Sequence, residues 1–182
     1  YAANEAMAII FSECAADGFS GISFSFGSGM TNVAMAINTV EALTFSVGRG
    51  GDWIDKHAGT AVGSTQARMC ALKEAGFDLL DPKSREEEAL ALYYKAMIEH
   101  ALDQVAALFA SKASQFALPK AIPIIVSGGT SQAGNFLEFF EKVWKKKQRR
   151  FPIEVSEVRQ AKDPLNAVAF GMLVQAMQEY DG

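Results

Sequence analysis

Three short alternating segments near the N-terminus constrain the fold of this chain more than any other feature. Apolar residues alternate with serines over residues 22–26, and the same period of two returns over residues 33–37 and 43–47. A period of two is typical of a β-strand with one buried face, and the connections are too short for anything but hairpins. The sequence therefore predicts three consecutive antiparallel strands joined by tight turns.

The turn between the first two strands contains two glycines, in the order Gly27-Ser28-Gly29-Met30-Thr31. Glycine lets the backbone approach a ligand closely, and successive backbone N–H groups in such a turn form a site that suits a phosphate. Glycine is also the commonest residue of ordinary hairpin turns. Taken alone, the turn is compatible with both interpretations.

The remainder of the chain alternates between helical and strand patterns. Helices are predicted over residues 4–15, from Asp52, over residues 64–75 and in a long segment that runs to about Phe116. Ser84 and Glu87 stand at the capping-box spacing in front of that long helix.

Two further strands are predicted in the second half. Residues 122–126 are continuously apolar, which favours a parallel strand buried on both faces. A short strand is expected over Phe151–Val155, and Asp163-Pro164 is expected to begin the last helix. The pattern predicts a mixed α/β fold.

Composition narrows the class of protein further. The chain has 182 residues, 49% of them hydrophobic and 21% charged, as expected for one folded, soluble domain. Its formal charge of −4 offers no general electrostatic attraction for nucleic acid. No apolar stretch approaches the ~20 residues of a transmembrane helix.

Cys14 and Cys70 are predicted to be buried free thiols in a reducing, cytoplasmic compartment. The start at Tyr1, without methionine, suggests that an earlier segment is missing.

Two groups of charged residues are given no site. His57 and His100 lack a ligand partner at a useful spacing, so no metal site is assigned. The basic run over residues 145–150 ends a predicted helix, where cations favour the helix dipole. An acidic partner or a membrane surface is the alternative explanation for that run.

Five short motifs follow one another along the chain. The first two are Glu-Ala-Met-Ala at 5–8 and Ser-Phe-Gly-Ser-Gly-Met-Thr-Asn-Val-Ala at 25–34. The other three are Gly-Gly-Asp-Trp-Ile-Asp at 50–55, Ile-Ile-Val-Ser-Gly-Gly-Thr-Ser at 124–131 and Asp-Pro-Leu-Asn-Ala-Val-Ala-Phe-Gly at 163–171.

Their order resembles that of the superfamily of actin, heat-shock chaperones and sugar kinases. The first and last motifs resemble the two connecting helices of that superfamily. The second resembles its second phosphate motif, the third resembles the segment after its third strand, and the fourth resembles its adenosine motif.

The resemblance implies a ribonuclease-H-like α/β fold. Its mixed five-stranded sheet would have three antiparallel and two parallel strands, with flanking helices. Residues 1–182 would form a single domain, the second lobe of a two-lobed ATPase of the actin-like or chaperone-like branch. A small helical insertion would lie at about residues 51–83, and the first lobe would precede Tyr1.

The resemblance also implies a nucleotide site that takes ATP and Mg²⁺. The phosphate-binding residues would be Gly27, Ser28, Gly29, Met30 and Thr31. The nucleoside-binding residues would be Gly128, Gly129, Thr130 and Ser131, joined by Gln66 and Lys73 from the helix over residues 64–75. For that helix, an ordinary solvated face is the alternative.

One position departs from the family pattern. Ser25 stands where the phosphate motif carries an aspartate, and a neutral hydroxyl is a poor substitute for a carboxylate near Mg²⁺. We therefore expect nucleotide binding with weak or absent hydrolysis. A non-catalytic scaffold or filament-forming protein is one alternative, and a phosphotransferase of the sugar-kinase branch is another. The expected partners are the missing first lobe and further copies of the same protein.

Overall fold

The computed structural model describes residues 4–111 and 121–180, with side chains described to residue 177. The strands are β1 (Gly21–Phe26), β2 (Thr31–Ile37), β3 (Val40–Val47), β4 (Ile122–Ser127) and β5 (Val155–Gln160). The helices are α1 (Glu5–Glu13), α2 (Gly51–Val62), α3 (Gln66–Ala75), α4 (Arg85–Ser111), α5 (Phe136–Lys147) and α6 (Ala167–Tyr180).

The strands form one sheet in the order β3-β2-β1-β4-β5. β1, β2 and β3 are antiparallel neighbours, whereas β4 runs parallel to both β1 and β5. The predicted fold class, a mixed five-stranded sheet with flanking helices, is confirmed. β4 is buried along its whole length, as its uninterrupted apolar sequence predicts.

The alternation in β1 sorts its side chains onto the two faces of the sheet. On one face, Phe24 and Phe26 pack edge-on against Phe140 and Phe136 of α5, with ring centroids 5.6 and 5.2 Å apart. On the other face, the Ser23 hydroxyl donates a hydrogen bond of 2.5 Å to a backbone carbonyl of α1. Large rings therefore fill one layer, and small residues let α1 lie close to the other.

α1 and α6 cross on that second face with their backbones in contact. A Cβ atom at Gly171 would lie 1.7 Å from the carbonyl oxygen of Ala8, so only glycine permits this approach. The two segments that resemble the family's connecting helices thus pack directly on each other.

The predicted strand at residues 151–155 is wrong in its position. β5 begins at Val155, where it pairs with Ile122. Phe151 instead packs its ring against Trp144, with centroids 4.6 Å apart, and Pro152 cannot donate to a strand ladder. The apolar residues before β5 therefore anchor a loop.

Helix starts differ from the predictions by a few residues. α6 begins at Ala167, after a turn in which the Asp163 carboxylate accepts hydrogen bonds from the N–H groups of Leu165 and Asn166, both at 3.2 Å. The predicted end of the long helix near Phe116 lies outside the described residues.

The capping box of α4 forms in part. The Glu87 N–H donates to the Ser84 hydroxyl at 3.1 Å, but the Glu87 carboxylate accepts from the N–H of Lys83 at 2.6 Å. The basic run at the end of α5 is partly paired, because Lys147 and Arg150 both bind Asp103 of α4.

Candidate functional site

Three segments meet beyond the C-terminal end of β1: the glycine turn, the start of α2 and the loop after β4. The Gly27 carbonyl accepts hydrogen bonds from the Gly51 N–H at 3.0 Å and from the Thr130 hydroxyl at 2.9 Å. The Asp52 N–H donates to the Ser28 carbonyl at 2.8 Å. These bonds hold the turn in one position relative to the loop that was predicted to bind the nucleoside.

Two glycines make this junction possible. A Cβ atom at Gly50 would lie 2.5 Å from the Ser28 carbonyl oxygen. Gly128 has a φ of +94°, and a Cβ there would lie 2.4 Å from the Phe26 carbonyl oxygen. Each position needs glycine because the backbones touch, and for Gly128 also because of its left-handed conformation.

The glycine turn itself exposes free backbone donors. Among the described residues, the N–H groups of Ser28 and Gly29 make no hydrogen bond. The Gly27 N–H donates to the Met30 carbonyl at 3.0 Å, and the buried Thr31 hydroxyl donates to the Arg49 carbonyl, in the loop after β3, at 2.8 Å. The structure thus brings the predicted phosphate-binding residues together. The N–H groups of Ser28 and Gly29 are open, Gly27 is bonded within the turn and Thr31 is bonded to the loop after β3.

The loop after β4 is held by its small polar residues. The Ser127 hydroxyl donates to the Pro164 carbonyl at 3.0 Å, and the Ser131 hydroxyl donates to the Gly128 carbonyl at 2.7 Å. The Gln160 amide of β5 donates to the Ser131 carbonyl at 2.8 Å. Ser131 therefore shapes this loop from within.

A cavity of about 450 Å³ lies between the turn, α2, α3 and the loop after β4. This volume is in the range of small-molecule sites. The cavity is lined by Ser28, Gly51, Asp52, Asp55, Cys70, Lys73, Glu74, Gly76, Tyr94, Gly129, Thr130, Gln132 and Ala133. It places Ser28 of the turn beside three of the predicted nucleoside-binding residues, Lys73, Gly129 and Thr130.

The two candidates on α3 fall in different places. The Lys73 ammonium lies in the cavity, 2.9 Å from Asp55 Oδ2 and 3.1 Å from the Gly51 carbonyl oxygen. Its side chain is only 13% exposed, so a solvated helix face does not describe it. Gln66 is exposed in the first turn of α3 and does not line the cavity.

Cys70 also differs from expectation. Cys14 is buried as predicted, but Cys70 is partly exposed and lines the cavity. The adjacent Met69 takes the buried position on α3, which turns Cys70 toward the cavity.

Asp55 is a site residue that sequence reasoning missed. Its side chain is 1% exposed, and Oδ1 has no hydrogen-bond partner among the described residues. Burial raises the pKa of this carboxyl above its ordinary value, against the lowering effect of Lys73. Asp55 ends the Gly-Gly-Asp-Trp-Ile-Asp motif, so the motif itself contained the signal.

Ser25 is 4% exposed and lies between Asn32 of β2 and Ser127 of β4. Asn32 donates through its amide to Glu5 Oε2 at 3.0 Å and accepts from the Ser46 hydroxyl at 2.6 Å. Glu5, at the start of α1, therefore brings a carboxylate to this end of the sheet, and sequence reasoning did not single it out as a site residue.

The described residues contain no group of three or more histidine, cysteine, aspartate or glutamate side chains that could hold a metal ion. Magnesium usually keeps several waters and is bound through one or two carboxylates together with substrate phosphates. Asp52, in the first turn of α2, lines the cavity beside Ser28. This arrangement fits an Mg²⁺ ion that arrives with phosphates better than one held by the protein alone.

Comparison with solved structures shows the fold. The chain has the fold of the actin-like ATPases. A family model matches most of the same chain. Residues 2–176 match the Volactin family, so the chain belongs to that family.

Three solved proteins illustrate the fold. The ethanolamine utilization protein EutJ from Carboxydothermus hydrogenoformans is 18% identical, with a TM-score of 0.62 over 92% of this chain and 53% of that one. A non-polymerising MamK mutant bound to AMPPNP is 16% identical, with a TM-score of 0.70 over 95% of this chain and 58% of that one. MreB5 of Spiroplasma citri bound to ADP is 15% identical, with a TM-score of 0.65 over 97% and 60%.

MamK has also been solved as a double helical filament, which is 16% identical with a TM-score of 0.69 over 95% of this chain and 58% of that one. The chain thus spans between half and three fifths of the length of these structures. A search of curated proteins found no match. Within the described residues, no helix is long and apolar enough to cross a bilayer.

Proposed function

We propose that this chain is the nucleotide-binding second lobe of an actin-like ATPase. The observation that carries the proposal is the junction at Gly27, whose carbonyl ties the glycine turn both to α2 and to the loop after β4. That junction sets Ser28, whose backbone N–H is unpaired among the described residues, at the edge of a cavity of ligand size. The similar structures of a MamK mutant bound to AMPPNP and of MreB5 bound to ADP support the same class of ligand.

Each part of the site takes a different part of the nucleotide. The N–H groups of Ser28 and Gly29 donate to phosphate oxygens, since an anion suits unpaired backbone donors in a turn. Gly129 and Thr130 form the cavity wall against which the sugar and base lie. Mg²⁺ binds with the phosphates. A first lobe, outside this chain, covers the phosphate end.

Hydrolysis is weak in this proposal because Ser25 offers no carboxylate where the family pattern has one. A cytoplasmic location belongs to the proposal as well. Cys14 and Cys70 are both free, as expected for a protein in a reducing compartment.

Titration calorimetry with ATP and ADP tests the binding step. Replacing Gly29→Pro removes one donor of the turn, and we expect binding to weaken by about tenfold or more, since hydrogen bonds to charged groups contribute about 1.5–3 kcal/mol. Gly29→Ala is the matched control, because a Cβ there meets nothing within 4 Å and the N–H is kept. Nucleotide affinity that is equal in both variants would contradict a phosphate site at the turn.

Phosphate release with and without Mg²⁺ tests the hydrolysis step on the longest available form of the protein. We expect slow turnover. Rapid Mg²⁺-dependent turnover that Ser25→Ala leaves undiminished would show that catalysis does not need a carboxylate or a hydroxyl at this position.

A filament-forming scaffold is the second candidate function. The observation that favours it is the likeness to the MamK double helical filament. In this alternative the nucleotide biases association between copies, by binding more tightly to the state that associates.

A further inference from the structure

The Asp55–Lys73 pair is unusual among the ion pairs of the described residues because its carboxylate is almost fully buried and only half satisfied. Asp55 Oδ2 accepts from the Lys73 ammonium at 2.9 Å, while Oδ1 has no partner among the described residues. Buried polar atoms in folded proteins are nearly always hydrogen-bonded, because an unpaired one loses its water without compensation. Asp55 lines the cavity beside Cys70, whose thiol lowers the pKa of this carboxyl. A thiol is a weak donor, so a hydroxyl or amino group that enters the cavity would be the stronger partner for Oδ1.

The charges around the cavity indicate which kind of group that is. Three acids, Asp52, Asp55 and Glu74, line it with one base, Lys73. Lys73 is already committed to Asp55 and to the Gly51 carbonyl. An anionic phosphate is repelled by Asp55 and Glu74, whereas an uncharged group with an O–H or N–H donor is attracted to them. These two acids therefore favour the sugar or base, while the phosphates lie toward Ser28, where the proposed Mg²⁺ offsets the charge of Asp52.

We propose, on the basis of the nucleotide binding proposed above, that Asp55 is the specificity-determining residue of this cavity, and that its Oδ1 accepts a hydrogen bond from a hydroxyl or amino donor on the sugar or base. Lys73 positions the carboxylate by holding Oδ2. Tyr94 and Cys70 are the other titratable groups on the wall. Burial raises the pKa of both the phenol and the thiol, so both stay uncharged at neutral pH.

The consequence is discrimination between closely related ligands. A site built to bind a particular donor rejects an analogue that lacks it, because the buried acceptor is left unpaired. A cavity that only encloses the nucleoside would tolerate the same change.

Binding of ADP is compared by calorimetry with three analogues, each lacking one donor: the 2′-deoxy, the 3′-deoxy and the purine riboside diphosphates. On the unmodified protein, we expect one of the three to bind about tenfold or more weakly than ADP, and the other two to bind within about threefold of it. If all three analogues bind within about threefold of ADP, the proposed role of Asp55 is wrong, and the affinities of the variants do not change that conclusion.

The double variant Asp55→Leu/Lys73→Met assigns the penalty to Asp55. Replacing a buried ion pair by apolar residues of similar size is often tolerated by the fold. We expect the variant to bind ADP and the discriminated analogue with equal affinity. The control is Glu138→Gln, which changes the charge of an exposed residue of α5 outside the cavity lining and should keep the discrimination. A double variant that still discriminates by tenfold overturns the proposal.

Alkylation of Cys70 distinguishes a failure of the proposed nucleotide binding from a failure of the proposed role of Asp55. Cys70 lines the cavity and Cys14 is fully buried, so a thiol reagent reports on the cavity. If ADP neither releases heat nor slows the modification of Cys70, the proposed nucleotide binding is wrong. If ADP protects Cys70 but the analogues all bind alike, only the role of Asp55 is wrong.

Discussion

At the scale of single residues, the Asp55–Lys73 pair links the stability of the chain to its candidate site. Burial raises the pKa of Asp55 above its ordinary value of 3.8, so the folded chain holds a proton there more tightly than the unfolded chain does. Where the folded state binds more protons, stability falls as the pH rises. The loss develops between the ordinary and the raised pKa. An ionised, buried carboxylate in the site therefore lowers the free energy of unfolding near neutral pH.

Replacing Lys73→Met should lower the free energy of unfolding by about 3–5 kcal/mol near neutral pH, because it leaves a buried carboxylate unpaired. The substitution also removes the groups that lower the pKa of Asp55, so that pKa rises further. The difference from the unmodified protein should therefore shrink as the pH falls toward 5. Urea unfolding at the two pH values measures it.

Lys95→Met is the matched control for this experiment. Lys95 pairs with Glu99 at 3.9 Å on an exposed face, and such pairs contribute about 0.2–1 kcal/mol. If Lys73→Met costs no more than this control, or costs the same at both pH values, the pair is not buried as the structure describes.

At the scale of elements, the strands follow the sequence more faithfully than the connections do. β1, β2 and β3 lie where alternation predicts them, and β4 lies where the continuous apolar run does. β5 was misplaced because Phe151 is apolar for another reason, its contact with Trp144. An apolar residue indicates a buried position, and burial alone does not distinguish a strand from a loop that packs against the core.

The crossing of α1 and α6 offers a test at this scale. Gly171→Ala should destabilise the chain by about 1–3 kcal/mol or more, because the added methyl group overlaps the carbonyl of Ala8 and forces the helices apart. Chemical unfolding followed by circular dichroism measures the loss. Met172→Ala, at the next and exposed position, should change stability by no more than about 0.5 kcal/mol. Equal effects of the two substitutions would mean that the helices do not touch at Gly171.

At the scale of the whole molecule, the sheet brings distant segments of the chain to one place. β4 lies beside β1, although nearly a hundred residues separate them in sequence, and this neighbourhood sets Thr130 against Gly27. Assembly into filaments, proposed above as the alternative function, is a property of the whole molecule.

Light scattering and sedimentation with and without ATP test assembly. If nucleotide drives association, scattering of the full protein should rise on addition of ATP, because binding shifts the population toward the associating state. The Gly29→Pro variant should show no such rise, while Gly29→Ala should behave like the unmodified protein. ATP binding without any rise in scattering would leave the protein a nucleotide binder that does not form filaments.

The sequence by itself determined the strand periods, the fold class and the positions of the glycine turn and of the loop after β4. These are local properties, since a period of two or a glycine pair is visible within ten residues. The roles of particular side chains were not visible in this way. Lys73 and Gln66 were both predicted to bind the nucleoside, with a solvated helix face as the alternative, and Asp55 was not singled out within its motif.

Only the tertiary structure decided that Lys73 turns into the cavity and that Gln66 stays outside it. It also decided that one oxygen of Asp55 has no hydrogen-bond partner within the part of the chain that the structure describes. The physical reason is that burial and hydrogen bonding of a side chain depend on segments far away in sequence. Here α2, α3 and the loop after β4 must come together before Asp55 is enclosed. Periodicity predicts which face of an element is buried, but it cannot predict which buried polar atom lacks a hydrogen-bond partner.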